Sequence, residues 1–264
     1  MQRRHLIASA LAASTVPVMA AGEPAKPSRT FVLQHGAWHG GWCWVRVADR
    51  LRAIGHRVFT PTSTGLGERK HLVSKETTVD VFVTDLVNVI EAEELRDVVL
   101  VGHSFGGIAV TGAADRVPER IAKLVYLDAV ILQPGESALS AVPPEVAAQR
   151  RETIRAAGGI SMPAPPTSFF GINDGPDAEW LRRRLTPHPS ATYDSPLRLS
   201  KPVGAGLPVT YIGCTVTPLA SIESMRQWAR RQPGWKYEEL PTVHNAMMTA
   251  PDALTQMLLR IANT

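Results

Sequence analysis

Along the chain, short apolar runs alternate with stretches whose apolar positions recur at helical spacing. Thr30-Phe31-Val32-Leu33-Gln34 is a run of strand length, and Gly40 to Ile54 carries Trp44, Ala48, Leu51 and Ile54 at helical spacing, with Gly55 as a natural stop. His56 to Thr60 reads as the next strand. A long loop, 61–75, follows, and Thr78 is placed to cap a helix whose stripe includes Phe82, Leu86, Val89 and Ile90. Asp97 to Val101 is a third strand run, Ile108 to Ala114 belongs to a helix of small residues, and Ile121 to Leu127 is a fourth strand. Strands that alternate with helices predict a parallel sheet covered on both faces.

The alternation stops after residue 132. Residues 133–206 are rich in proline and glycine and hold two helical patches, Glu145–Ala157 and Asp177–Leu185. A segment that long is not a plain connection and is expected to be an inserted helical cap. Alternation resumes with strand Val209–Gly213, a helix around Ile222 to Arg230 and strand Lys236–Leu240. A last helix starts near Pro251, a residue suited to a first turn. The expected class is α/β: a six-stranded, mostly parallel sheet flanked by helices, with residues 21–132 and 207–264 as the core and 133–206 as the cap.

A chain of 264 residues fits one large domain. Arg3 and Arg4 account for two of its 28 basic residues, and the other 26 against 24 acids leave +2. That balance gives no case for nucleic-acid binding or for electrostatic attachment to a membrane. The densest basic run, Arg182-Arg183-Arg184, reads as a solvated helix face. Residues 1–20 read as an export signal. Arg3-Arg4 precede the apolar stretch Leu6 to Ala13, and Val18-Met19-Ala20 offers a cleavage site. The paired arginines suggest the twin-arginine route, with an ordinary secretory signal as the alternative. Either predicts a periplasmic or secreted protein without a stable membrane anchor. Cys43 and Cys214 lack metal-type spacing and are expected to be two separate buried thiols rather than a bridge. Nothing in the sequence indicates an oligomeric state.

The chemistry enters with Gly102-His103-Ser104-Phe105-Gly106, a G-x-S-x-G pentapeptide between a strand and a helix. That context is the one a nucleophile elbow needs: a strained turn lifts the serine Oγ to the top of the sheet. A serine hydroxyl needs a base within reach. Of the eight histidines, His244 alone combines a late position, a strand end and a following helix. A tetrahedral oxyanion needs two fixed donors. The N–H of Phe105, directly after Ser104, is one candidate. The N–H of Ala37, in the loop His35-Gly36-Ala37-Trp38-His39-Gly40-Gly41, is the other. Trp38 and His39 are expected at the mouth of the pocket, as possible substrate contacts or as packing. Phe169, Phe170 and Trp180 are expected to form an apolar ceiling or the small core of the cap.

The segments His35 to Trp42 and Gly102 to Gly107 together resemble the α/β-hydrolase superfamily. The resemblance is strongest to its branch of plant methyl-ester esterases and hydroxynitrile lyases, with their bacterial relatives. It implies an α/β-hydrolase fold and esterase activity, with Ser104 as nucleophile, His244 as base, and Ala37 and Phe105 as oxyanion donors. The lyases of that branch need a threonine before the oxyanion residue and a lysine after the histidine. Here Gly36 and Asn245 stand instead, which favours hydrolysis. In the plant esterases the triad acid follows the penultimate strand, but Cys214-Thr215-Val216-Thr217-Pro218-Leu219 has no carboxylate. Asp128, at the end of the strand after the elbow helix, is the expected replacement. A branch of the haloalkane dehalogenases places its acid there, and Asp128 keeps the order serine, acid, histidine. Three readings compete with it: Asp128 as a purely structural carboxylate, Glu223 as the acid, or a neutral group behind His244.

The expected function is a serine-dependent carboxylic ester hydrolase acting on small to medium apolar esters through an acyl-enzyme, with no metal or organic cofactor. A lactone, amide or carbon–carbon bond hydrolase would use the same residues. A ligand-binding protein with little turnover is the reading from another class.

Overall fold

Strand β1 (Thr30–Gln34) leads through a short 3-10 turn into helix α1 (Val45–Ala53), which ends at Gly55 with a left-handed backbone. Strand β2 (Arg57–Phe59), helix α2 (Val79–Ala92), strand β3 (Val98–His103), helix α3 (Gly106–Arg116) and strand β4 (Ile121–Leu127) follow. Next come helix α4 (Pro144–Ala156), strand β5 (Ser161–Met162), helix α5 (Gly175–Arg182), strand β6 (His188–Pro189) and helix α6 (Ala191–Asp194). Strand β7 (Val209–Cys214), helix α7 (Glu223–Arg230), strand β8 (Lys236–Leu240) and helices α8 (Ala246–Thr249) and α9 (Pro251–Ala262) complete the chain. This computed structural model describes residues 28–217 and 219–264. The expected export signal, 1–20, lies outside them.

Six strands form one sheet in the order β2-β1-β3-β4-β7-β8, and every pairing is parallel. A central strand of such a sheet is buried on both faces, so β3 is buried throughout and opens with the apolar run Val98 to Val101. Its residues alternate between two cores. Val98 and Leu100 join Val32, Leu124 and Tyr126 beneath α2, α3 and α7. Val99 and Val101 join Phe31, Leu33, Val125 and Leu127 beneath α1 and α9.

Thr78 stands at the start of α2, as expected, but its side chain makes no capping bond. The first helical N–H, that of Val79, donates instead to Ser195 Oγ at 2.9 Å. The cap of this helix therefore comes from the 133–206 segment, which no local pattern reveals. That segment is not wholly helical. Beside α4, α5 and α6 it carries an antiparallel pair, β5 with β6, too short to leave a periodic signature. Cys43 and Cys214 are both buried and unbridged.

Candidate active site

The elbow is built on backbone. Ser104 has φ +52°, in the left-handed region, its N–H donates to Leu127 O at 3.1 Å, and its carbonyl accepts from Gly107 and Val130. The loop after β1 presses directly on this turn. A Cβ added at Gly36 would lie 2.8 Å from Ser104 Cβ, and one at Gly106 would lie 2.4 Å from His35 O. Glycine is thus required where the two loops meet. Ser104 lines a cavity of about 570 Å³ together with Ala37, Trp38 and Phe105. Among the described residues, neither the Ala37 N–H nor the Phe105 N–H donates to a protein acceptor. The next N–H along the first loop, that of Trp38, is occupied by His188 Nδ1 at 3.4 Å.

His244 is 2% exposed and lies beside the elbow. Its ring centroid is 4.6 Å from that of His103, whose Nε2–H donates to the His244 carbonyl at 3.0 Å. Its Nδ1–H donates to Asp128 Oδ2 at 2.7 Å. Its Nε2 is buried and has no hydrogen-bond partner among the described residues. Asp128 is fully buried at the end of β4, with φ +46° and its N–H bonded to Ile212 O. Strand-end position and chain order pointed to this residue, and the structure brings its carboxylate onto the histidine.

One residue at the centre of this arrangement was not foreseen. Arg226 of α7 donates from Nε and Nη2 to Asp128 Oδ1 at 2.8 and 2.7 Å, and from Nη2 to Oδ2 at 2.9 Å. The Cys214 N–H adds a further donor to Oδ1 at 3.1 Å. Burial works against the Arg226 charge, but the adjacent carboxylate and its hydrogen bonds outweigh burial and raise the guanidinium above its ordinary value. Glu223, the competing acid, is half-exposed and pairs with Arg226 Nη1 at 3.2 Å. A signal for Arg226 did exist in the sequence. It falls in line with Ile222, Met225 and Ala229 on the buried stripe of α7, where an arginine is out of place unless paired.

Trp38 and His39, expected together at the pocket mouth, part company. Trp38 lines the cavity with φ +62°, and its indole N–H donates to Met162 O at 3.2 Å. His39 does not line the cavity. It is buried behind the first loop, where Nδ1–H donates to Ala37 O at 2.7 Å and Nε2 accepts from Asn245 Nδ2 at 3.1 Å. Burial pushes it down to about 3, so the ring is neutral and serves as a strut between the Ala37 loop and the histidine loop. Phe169 lines the cavity, and Phe170 lies over the His244 ring, nearly parallel at 6.4 Å. Trp180 packs against Trp42 instead. The remaining lining is mostly apolar and includes Val142, Met162, Tyr193 and Met225, with Arg150 as the one charged side chain among the described residues.

A parallel sheet with a serine-bearing elbow after its central strand, a cavity above that elbow and a histidine loop after its last strand defines an α/β hydrolase. Residues 31–256 match the profile of the alpha/beta hydrolase family, and the chain belongs to it. Similar proteins span nearly its whole length. A carbendazim hydrolyzing esterase of a Nocardioides species is 40% identical over 237 residues, which is 86% of this chain and 97% of that protein. The esterase PIR7B of Oryza sativa subsp. japonica is 26% identical over 256 residues, 88% of this chain and 95% of that one. Among solved structures, an extracellular alpha/beta-hydrolase from a Paenibacillus species superposes with a TM-score of 0.78 at 25% identity, over 88% of this chain and 98% of that one.

Proposed function

We propose that the chain is a carboxylic ester hydrolase that works through an acyl-enzyme on Ser104. The observation that carries this reading is His244, held at Nδ1 by a buried carboxylate while Nε2 is left without a protein partner beside the elbow. In this mechanism Ser104 Oγ attacks the ester carbonyl and its proton passes to His244 Nε2. The Ala37 and Phe105 N–H groups receive the oxyanion. The tetrahedral intermediate collapses, the carbon–oxygen bond to the alcohol breaks, and the imidazolium protonates the departing oxygen. His244 then takes a proton from water, whose oxygen attacks the acyl carbon. Collapse of the second intermediate frees the acid and returns the proton to Ser104. Asp128 fixes the Nδ1–H tautomer and stabilises the imidazolium.

Several observations support hydrolysis. Two of the similar proteins named above, from Nocardioides and from Oryza sativa, are esterases. Asn245, where a lyase of the related branch carries lysine, is neutral and tied to His39. The apolar lining suits small to medium apolar esters. We assign the 133–206 segment the role of cap, because it supplies Val142, Met162, Phe169 and Tyr193 to that lining. We also propose export, a reading supported by Arg3-Arg4 ahead of the apolar stretch Leu6 to Ala13.

Stopped-flow hydrolysis of p-nitrophenyl esters graded by acyl length tests the reading. A stoichiometric burst followed by turnover is expected, and Ser104→Ala should lose about 10⁴-fold or more in kcat. Saturable binding without product, or turnover that survives Ser104→Ala, overturns it.

A further inference from the structure

The segment after β7 offers no carboxylate to His244, and the acid arrives from β4 instead. What α7, the helix after β7, brings to the same place is a cation. We propose that Arg226 is a positioning residue of the active site. Its two-point hold aims Asp128 Oδ2 at His244 Nδ1, and its charge offsets that of the carboxylate. This rests on the serine–histidine reading given above.

The argument begins with the hydrogen bonds to the carboxylate. Oδ1 accepts from Arg226 Nε, Arg226 Nη2 and the Cys214 N–H. Oδ2 accepts from Arg226 Nη2 and from His244 Nδ1. The loading is lopsided: Oδ1 is saturated, and the remaining capacity of Oδ2 goes to the imidazole. A planar fork with fixed donor directions sets the rotation of a carboxylate as a single ammonium cannot. Asp128 needs such a hold. Its φ of +46° takes it off the strand path, so β4 alone does not aim its side chain.

Charge points the same way. A fully buried carboxylate demands a partner. A buried ion pair is seldom a net source of stability compared with a well-packed apolar pair, so its presence beside the base invites a role in the chemistry. The other groups facing the pair are quiet near neutral pH. Burial holds His103 of β3 neutral. Burial first, and then the Asp128 charge, raise the Cys214 thiol and the Tyr211 phenol of β7, and burial also raises Tyr237 of β8. His39, from the first loop, is neutral as well. Among the described residues only Glu223, half-exposed on the far side of Arg226, adds a charge. The imidazolium therefore forms against a nearly neutral Asp–Arg pair rather than a bare carboxylate. Removing the guanidinium would leave the imidazolium facing an uncompensated carboxylate.

Two substitutions separate aim from charge. Arg226→Gln removes both, so kcat should fall about 10- to 100-fold with KM within about twofold, as for a misplaced catalytic group. The acid limb of kcat/KM should move to higher pH. Arg226→Lys keeps the charge and loses the fork, so kcat should fall while the acid limb stays. In an Asp128→Asn background Arg226→Gln should add little, since the two act as one unit. The low-field proton NMR signal of the His244 Nδ1–H, which needs no turnover, should shift or broaden in both Arg226 variants. A folded Arg226→Gln protein with wild-type kcat and an unmoved acid limb overturns the proposal. If that variant does not fold, Arg226→Lys with wild-type kcat and an unmoved Nδ1–H signal overturns it equally. Turnover that survives Ser104→Ala would defeat the esterase reading instead, and the Nδ1–H signal would still judge the Arg226 hold.

Discussion

Three candidate site residues, Trp38, Ser104 and Asp128, share a left-handed backbone that non-glycine residues seldom adopt. Strain of this kind persists where surroundings over-determine it, and here it re-aims side chains at the ends of β1, β3 and β4. For the acid, the contrast with Glu223 is sharp. Asp128→Asn is expected to lower kcat about 10²- to 10⁴-fold by disturbing the histidine tautomer. Glu223→Gln, which loosens only the outer contact of Arg226, should cost far less. Side-by-side steady-state kinetics settle the order, and equal losses would count against Asp128. Ser104 and His244 were legible because each sits in a context that few serines or histidines share. Asp128 was legible from strand position and chain order, although the expected segment lacked an acid. His39 was misplaced because a glycine-rich loop does not record which side its side chains face. Arg226 went unread because one arginine on a short helix looks like solvent-facing charge until its stripe is compared with its apolar neighbours.

At the scale of the element, strands buried on both faces declared themselves through unbroken apolar runs, and their bounds shift by no more than a residue or two between sequence and structure. Contacts made between distant elements were silent. Ser195 capping α2 and the pair β5–β6 both depend on how the 133–206 segment folds back over the sheet. Ser195→Ala should therefore cost about 1 kcal/mol, the usual value of a lost cap, in urea unfolding. The start of α3 is tighter. A Cβ at Gly107 would sit 2.3 Å from Val130 O, a backbone atom that cannot swing away. Gly107→Ala is expected to destabilise by roughly 1–3 kcal/mol and to lower Tm, because the elbow helix must lift away from the loop after β4. A Tm within a degree of wild type would show that the two can separate freely.

At the scale of the molecule, the site lies at the carboxyl ends of a wholly parallel sheet, where such sheets place their ligands. It is ringed by buried neutral histidines. His35 donates from Nδ1 to Gly36 O at 2.8 Å and accepts at Nε2 from the Ser63 N–H at 3.1 Å. Burial pushes it down to about 4 and His39 down to about 3, with His103 and His188 also well below the ordinary 6.5. Protonating His35 or His39 would turn an accepted hydrogen bond into a clash of donors. The folded values lie below the unfolded one, so the unfolded chain takes up protons first as the pH falls. Stability is thus complete above about 6.5 and erodes progressively toward about 4 and below. Calorimetric scans from pH 7.5 to 4 should show Tm falling through that window. His35→Gln should reduce the slope of unfolding free energy against pH, obtained from those scans, by up to about 1.4 kcal/mol per pH unit, one proton's worth. An unchanged slope in that variant would remove His35 from the account.

Carrying the acid on β4 has a further consequence for the span from Thr215 to Ile222. In the proposed mechanism this stretch owes nothing to the proton path, yet Leu219, Ser221 and Ile222 form part of the cavity wall. Side-chain replacements at Leu219, Ser221 and Ile222 can therefore recut the recess around the ester without lengthening the connection to α7, leaving the hydroxyl, the imidazole and their supports in register. Selectivity and reactivity become separately evolvable traits of this scaffold.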